Sequence, residues 1–292
     1  MQDTVQFTAD GLRIAGTLHL PPDLRPGERR PAIVLLAGFG GTQRNSAVPA
    51  DYLAARGYVA LRFDHRGAGG SEGEHARVIC LERVSDTRAA LDYLATRPEV
   101  DAARIALLGS SFGAAVAIYT AGIDPRVAAV ISLGGWGDGA RKFRGQHATP
   151  EAWARFTNML EEGKRHRERT GESLMVHRYD IVPIPPHLRE HLGDDAIMAF
   201  PAETAQSMYD FRADDVVANI APRPLLLVHA ANDSVTPTSE SIELFLRAQP
   251  PTELHLLADA DHFLFSNPNS AEARLIADWL ARYFPVAAVA PA

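Results

Sequence analysis

The chain has 292 residues, of which 46 % are hydrophobic and 22 % charged, enough apolar content for one large core with an insertion. A formal net charge of −7 speaks against nucleic acid or an anionic membrane as the main partner. The single cysteine, Cys80, excludes an intrachain disulfide and a cysteine-based metal cluster, and is expected to pack as a small apolar residue.

No apolar run approaches the roughly 18 residues of a membrane span. The first residues include Asp3 and Asp10 and lack both a basic and an apolar leader region, so the expected location is cytoplasmic. Nothing calls for a cofactor. His177, His187 and His191 lack any regular ligand spacing, so no metal site is expected. A homodimer stays open, and the expected partner is a small acyl substrate.

Taken in chain order, the apolar runs alternate with amphipathic stretches. After a Pro-rich loop at 21–31, a strand is predicted at 32–36, running into Ala37-Gly38-Phe39-Gly40-Gly41-Thr42. This Gly-rich turn is not a phosphate loop, because no Gly-Lys-Ser/Thr follows. A helix near 48–56, a strand at 59–63 and a helix at 80–96 come next. In that helix Leu81, Val84, Ala89, Leu91 and Leu94 can share a face. A strand at 104–108 then meets Gly109-Ser110-Ser111-Phe112-Gly113 and passes into the small, apolar helix-compatible run 112–121.

This is G-x-S-x-G in the strand–turn–helix setting the motif requires. Ser111 is expected on the sharp turn with its hydroxyl exposed and Ser110 facing away. The flanking glycines leave room for backbone crowding that a Cβ would block. The plainer alternative is a glycine-rich turn whose serines cap the helix. A strand at 127–133 follows, after which 136 to about 215 break the alternation. That stretch is read as a cap, with residues 1–135 and 216–292 forming the core.

Within the cap, Thr149-Pro150-Glu151 has the form of a helix start. The charges from Glu161 to Glu172 read as a solvated helix face, and Ile181 to Pro186 must be extended. A further helical patch runs from Ala202 to Tyr209. Trp136, Trp153, Phe156, Met208 and Tyr209, with Met159, Phe200 and Phe211, either line an apolar acyl pocket or form the cap's own core. The first five are taken as substrate-binding candidates.

Beyond the cap, a strand at 224–228 leads through His229 to Asp233, and a strand at 253–257 leads to His262 before the last helix. A serine hydroxyl is a weak nucleophile near neutral pH, so it needs a base and an acid that orients the base. Ser111, Asp233 and His262 each follow a strand-like run, so all three can emerge at one sheet edge. Asp259 and Asp261 compete for the acid role, and Asp138 is a further alternative. Asp233 is preferred because immediate neighbours of a loop histidine seldom point back at its ring. Backbone N–H groups of Phe39 and Phe112 are the candidate oxyanion donors. His65 and His255 are not expected in the site.

With the order Ser…Asp…His and these loops, the chain resembles the α/β-hydrolase superfamily over nearly its whole length. The segment Asp64-His65-Arg66-Gly67-Ala68-Gly69-Gly70-Ser71 is similar to the family's D-x-R-G-x-G-x-S stretch. The opening Val5-Gln6-Phe7 and Gly11 to Pro21 resembles the N-terminal hairpin of the serine aminopeptidase, feruloyl esterase and dienelactone-hydrolase-like branches. Many relatives carry His where this chain has Ala37, so supporting hydrogen bonds for the oxyanion loop must come from elsewhere. Dienelactone hydrolases use a cysteine nucleophile, which argues against that activity. The resemblance implies a mostly parallel, doubly wound α/β sheet with an inserted helical cap. The expected function is a serine hydrolase that cleaves a carboxylic ester through an acyl-enzyme. Thioester or amide cleavage, or acyl transfer, would use the same machinery. A ligand-binding protein on the same scaffold is the alternative of a different class, and cofactor-free oxidation or halogenation is a minor third.

Overall fold

Apolar, β-branched runs such as Ala32-Ile33-Val34-Leu35 cannot present a polar face, so they belong in a sheet covered on both sides. The computed structural model, which describes residues 1–193 and 196–287, places them there. Residues 194–195 of the expected cap and 288–292 of the expected core lie outside the described residues. An antiparallel pair opens the chain, β1 (Gln2–Ala9) and β2 (Leu12–His19), with register Val5↔Gly16. Then come β3 (Arg30–Leu36), α1 (Ala47–Ala54), β4 (Val59–Phe63) and α2 (Cys80–Ala95). The next unit is β5 (Val100–Ser110), α3 (Phe112–Ile123) and β6 (Val127–Leu133).

The segment after β6 adds nothing to the main sheet. It holds α4 (Gly139–Gln146), α5 (Pro150–Thr170), the short β7 (Met175–His177) and the one-turn α6 (Arg178–Ile181). β8 (Ala199–Pro201), paired antiparallel with β7, and α7 (Ala202–Asp210) complete it. The sheet resumes with β9 (Leu225–Ala230), α8 (Ser239–Arg247) and β10 (Thr252–Leu257), and α9 (Ala271–Tyr283) closes the described chain.

The eight-stranded sheet has the order β1-β2-β4-β3-β5-β6-β9-β10. From β4 to β10 all pairings are parallel. The period-2 alternation sends successive residues of each strand into two cores. On one side lie Val34, Leu36, Leu107 and Leu227; on the other lie Ile33, Leu35, Leu108 and Val228. Helix α3 is buried along most of its length because its Ala-rich run lets it pack close to the sheet. No helix among the described residues is long and apolar enough to cross a membrane.

The predicted elements of the sheet are present with ends shifted by a few residues; β5, for example, starts at Val100 rather than at 104. The insertion departs further from expectation. Thr149 caps α5 through its hydroxyl, which accepts from Ala152 N–H at 3.2 Å, and Pro150 occupies the first turn as expected. Ile181, however, ends a helical turn instead of starting an extended run, and Pro186 begins a 3-10 turn (Pro186–Leu192). Proline is tolerated there because the first N–H of a helical turn has no partner to lose.

Candidate active site

The carboxyl ends of parallel strands leave loops on one edge, and at β5 that loop is as short as it can be. Ser111 adopts φ +53° and ψ −115°, a left-handed conformation that costs a non-glycine residue on the order of 1–3 kcal/mol. Its backbone N–H donates to the Leu133 carbonyl at the end of β6 (2.7 Å), which ties the strained turn to the neighbouring strand. A Cβ on Gly113 would overlap the carbonyls of Leu36 and Ala37, and one on Gly109 would overlap that of Gly113. Gly113→Ala is therefore expected to lower folding stability by about 1–3 kcal/mol, as overpacking does. A thermal melt would check it, and an unchanged midpoint would contradict the crowding described.

The strand-end loops after β9 and β10 bring two further side chains to the turn. His262 Nε2 lies 2.8 Å from Ser111 Oγ, and its Nδ1 lies 2.8 Å from Asp233 Oδ2 and 3.0 Å from Oδ1. The Asp233 side chain is fully buried and His262 nearly so. Burial alone would raise the Asp233 pKa, but hydrogen bonds and charge from His229 and His262 outweigh it and hold the carboxyl below its ordinary value. Two backbone donors, Val235 N–H at 2.8 Å and Thr236 N–H at 2.7 Å, also point at Asp233 Oδ1. Such a chain can draw the proton from the Ser111 hydroxyl, hold the resulting imidazolium against a fixed negative charge, and return the proton later.

Asp261 and Asp138 are occupied elsewhere. Asp261 accepts from Ser234 N–H and Oγ–H and from the His262 backbone N–H, so it fastens the two loops and not the ring. Asp138 accepts from Arg141 N–H as the cap of α4. Buried His65 faces Asp86, half-exposed His255 faces Glu253, and Asp64 binds Gln43 and Gly70 N–H groups. The Cys80 thiol is pushed up to about 12 by burial, so it stays protonated. Among the described residues, no group of three or more His, Cys, Asp or Glu converges as a metal site would need.

A cavity of about 160 Å³ opens over Ser111 and His262. Its walls are largely apolar: Leu36, Val182, Ile184, Leu192, Val235 and Phe263 among others. Phe39 borders it, and Gly38 lies so near the turn that a Cβ there would stand 3.5 Å from Ser111 Cβ. Phe112 begins α3 directly after Ser111. Ser110 also borders the cavity, contrary to expectation, although the bond to His262 belongs to Ser111.

Comparison with known proteins follows this geometry. The family model described as serine aminopeptidase, S33, matches residues 27–269. The chain belongs to this family of α/β-hydrolases. By sequence the hydrolase is 28 % identical over 275 residues to acyltransferase drtE of Aspergillus calidoustus, covering 87 % of this chain and 85 % of that one. The structure of the α/β-hydrolase GrgF from Penicillium sp. sh18 is similar with TM-score 0.79 and 25 % identity, over 97 % of this chain and 99 % of that one. Est1E from Butyrivibrio proteoclasticus, solved with ferulic acid bound, has the same fold (TM-score 0.65, 19 % identity, 94 % and 96 % covered).

None of the five substrate-binding candidates reaches the cavity of this hydrolase. Trp136 is buried, stacked 6.3 Å from Phe112 and edge-on to Phe211. Phe156 lies between His147 (4.5 Å), Phe143 (4.6 Å), Trp153 (5.8 Å) and Tyr209 (6.2 Å), and Met208 is buried nearby. Trp136 thus packs on α3, while Trp153, Phe156 and Tyr209 pack on one another inside the insertion, because an inserted segment must bury an apolar face of its own before it can shape anything else. On the insertion side the cavity is bordered instead by Val182, Ile184, His191, Leu192 and Ala196.

Sequence reasoning also missed His229 and Arg178. His229, fully buried at the end of β9, places Nε2 3.2 Å from Asp233 Oδ2 and Nδ1 2.6 Å from Ser241 Oγ. Its spacing of four residues before Asp233, at the close of an apolar strand, was the available signal. Arg178 borders the cavity from the insertion.

Proposed function

We propose that this hydrolase cleaves carboxylic esters of small molecules through an acyl-enzyme, with residues 136–215 serving as the cap over the site. The observation that carries the reading is the pair of contacts made by one ring, His262 Nε2 to Ser111 Oγ and His262 Nδ1 to Asp233 Oδ2, both 2.8 Å. Ser111 Oγ bonds to the ester carbonyl carbon while His262 takes the hydroxyl proton. The tetrahedral oxyanion rests on the N–H groups of Phe39 and Phe112. Collapse breaks the bond to the leaving alcohol, which receives the proton from His262. Water, deprotonated by the same ring, then attacks the acyl carbon and releases the acid and Ser111.

The cavity supports an ester over a peptide. Recognition of a free amino terminus calls for a carboxylate near the scissile bond, and none of the described lining residues is Asp or Glu. Similarity to an acyltransferase keeps one second reading alive, in which an alcohol rather than water resolves the acyl-enzyme. A series of p-nitrophenyl esters from acetate to laurate, assayed beside an aminoacyl p-nitroanilide, tests the substrate class. Turnover of short esters, falling with longer chains as the apolar cavity fills, with the anilide left intact, is the expected pattern. Preferential release of p-nitroaniline would overturn it. Added alcohol that raises the rate and yields a new ester would favour transfer.

A further inference from the structure

The loop that carries Phe39 has a backbone that glycine leaves free to adopt more than one conformation. Three of the five residues 37–41 are glycine, and Gly40 sits at φ +62°. Within the loop Gly41 N–H donates to the Gly38 carbonyl (3.0 Å), and just beyond it Thr42 N–H donates to Asn45 Oδ1 (2.9 Å). An oxyanion hole works only when its donors are fixed before charge develops, since reorganising them during the reaction forfeits the stabilisation.

The insertion supplies a clamp at this point. Arg178, the first residue of α6 and 3 % exposed, donates from Nη2 to the Phe39 carbonyl (2.5 Å) and from Nη1 to the Ile197 carbonyl (3.1 Å). Its guanidinium carbon stands 5.2 Å from the Phe39 ring centroid and 5.9 Å from that of Phe200. The two rings lie against each other at 4.4 Å. A methyl group on Gly40 would stand 2.7 Å from both Arg178 Nη1 and Phe200 Cζ, so the loop is held at contact distance by both insertion residues. The planar fork of arginine can bridge two carbonyls from one rigid group, which a lysine cannot do. Among the described residues Arg178 Nε has no hydrogen-bond partner, and the two hydrogen bonds of the guanidinium run to carbonyls, that of Phe39 on the loop and that of Ile197 in the insertion.

We infer that Arg178 is a positioning residue for the oxyanion loop, through which the insertion sets the reactivity of the site it covers. The inference rests on the ester-hydrolase reading, and its failure can be told apart from that of the reading. Hydrolysis of p-nitrophenyl esters by the unaltered protein, absent in Ser111→Ala, is the condition for that reading; without it both fall. Given that activity, Arg178→Met is expected to lower kcat by about 10- to 100-fold, less than loss of a donor itself. KM should stay within a factor of about three, since substrate contacts persist.

Affinity for a trifluoromethyl ketone, which forms a tetrahedral adduct with Ser111, should fall by the same factor as kcat/KM. Affinity for the corresponding methyl ketone should hold, and so should the pH profile of kcat. Arg178→Lys, which keeps a single donor nitrogen without the planar fork, should recover part of the loss; if the methionine variant does not fold, the lysine variant alone must show the intermediate values. A raised KM with unchanged kcat, or equal losses for both ketones, would make Arg178 a pocket wall and overturn the inference. So would activity lost only in proportion to folded protein, measured by circular dichroism.

Discussion

Ser111→Ala should abolish ester turnover, with kcat falling by about 10⁴- to 10⁶-fold, and leave the fold in place. The size follows from the unit in which the hydroxyl acts: without Oγ neither His262 nor the oxyanion donors have a covalent intermediate to serve, and only residual binding and electrostatics remain. The stability side follows from the turn. Alanine keeps the Cβ that already occupies the elbow at φ +53°, so strain is unchanged, and what is lost is one hydrogen bond to His262 at a cavity margin. A thermal melt within a few degrees of the unaltered protein, together with loss of hydrolysis, is the paired result to seek. Full activity in a folded Ser111→Ala protein would end the mechanism.

Asp233→Asn should cost about 10⁴-fold in kcat with the Ser111–His262 distance nearly intact. The amide can turn its NH₂ toward His262 Nδ1, which forces the proton onto Nε2. There it cannot accept from Ser111 Oγ, now 2.8 Å away as a competing donor. The same change removes the charged acceptor shared by His229 Nε2 and the N–H groups of Val235 and Thr236. Stability therefore also changes, and its pH dependence has a definite sign. The folded-state pKa of Asp233 lies below its ordinary 3.8, so its contribution is complete above that value and is lost as pH falls toward the folded-state pKa. Acid unfolding should accordingly be shallower in Asp233→Asn than in the unaltered protein over that interval, while the two run parallel near neutrality. Steady-state kinetics and acid titration of circular dichroism check the two halves; undiminished kcat in the variant would remove Asp233 from the mechanism.

Much of this site can be read from the chain because the chemistry constrains local sequence. Gly109 and Gly113 are needed where backbones nearly touch, and the apolar runs before Ser111, Asp233 and His262 can be buried only in a two-sided sheet. Three side chains that each follow such a run arrive at one sheet edge because parallel strands share a direction. The insertion is different. Spacing of Trp153, Phe156 and Leu160 identifies a buried helix face but not its partner, and the partner is the insertion itself. Helix α4, with Gly139, Arg141, Lys142 and Arg144 in eight residues, carries almost no apolar pattern; an ion pair from Arg141 to buried Glu240 (2.7 Å) helps to hold it. Arg178 stands in the polar run His177-Arg178-Tyr179-Asp180, where an arginine ordinarily reads as surface, and only the tertiary contact with Phe39 shows otherwise.

The central claim is that Ser111 is an activated nucleophile. It is tested most directly by treating the folded protein with a fluorophosphonate and mapping the adduct by mass spectrometry of its peptides. The account predicts one phosphonyl group per chain, bonded to Ser111 and absent from Ser110, and no labelling in Ser111→Ala. An unlabelled but folded protein, or an adduct at another serine, would contradict it.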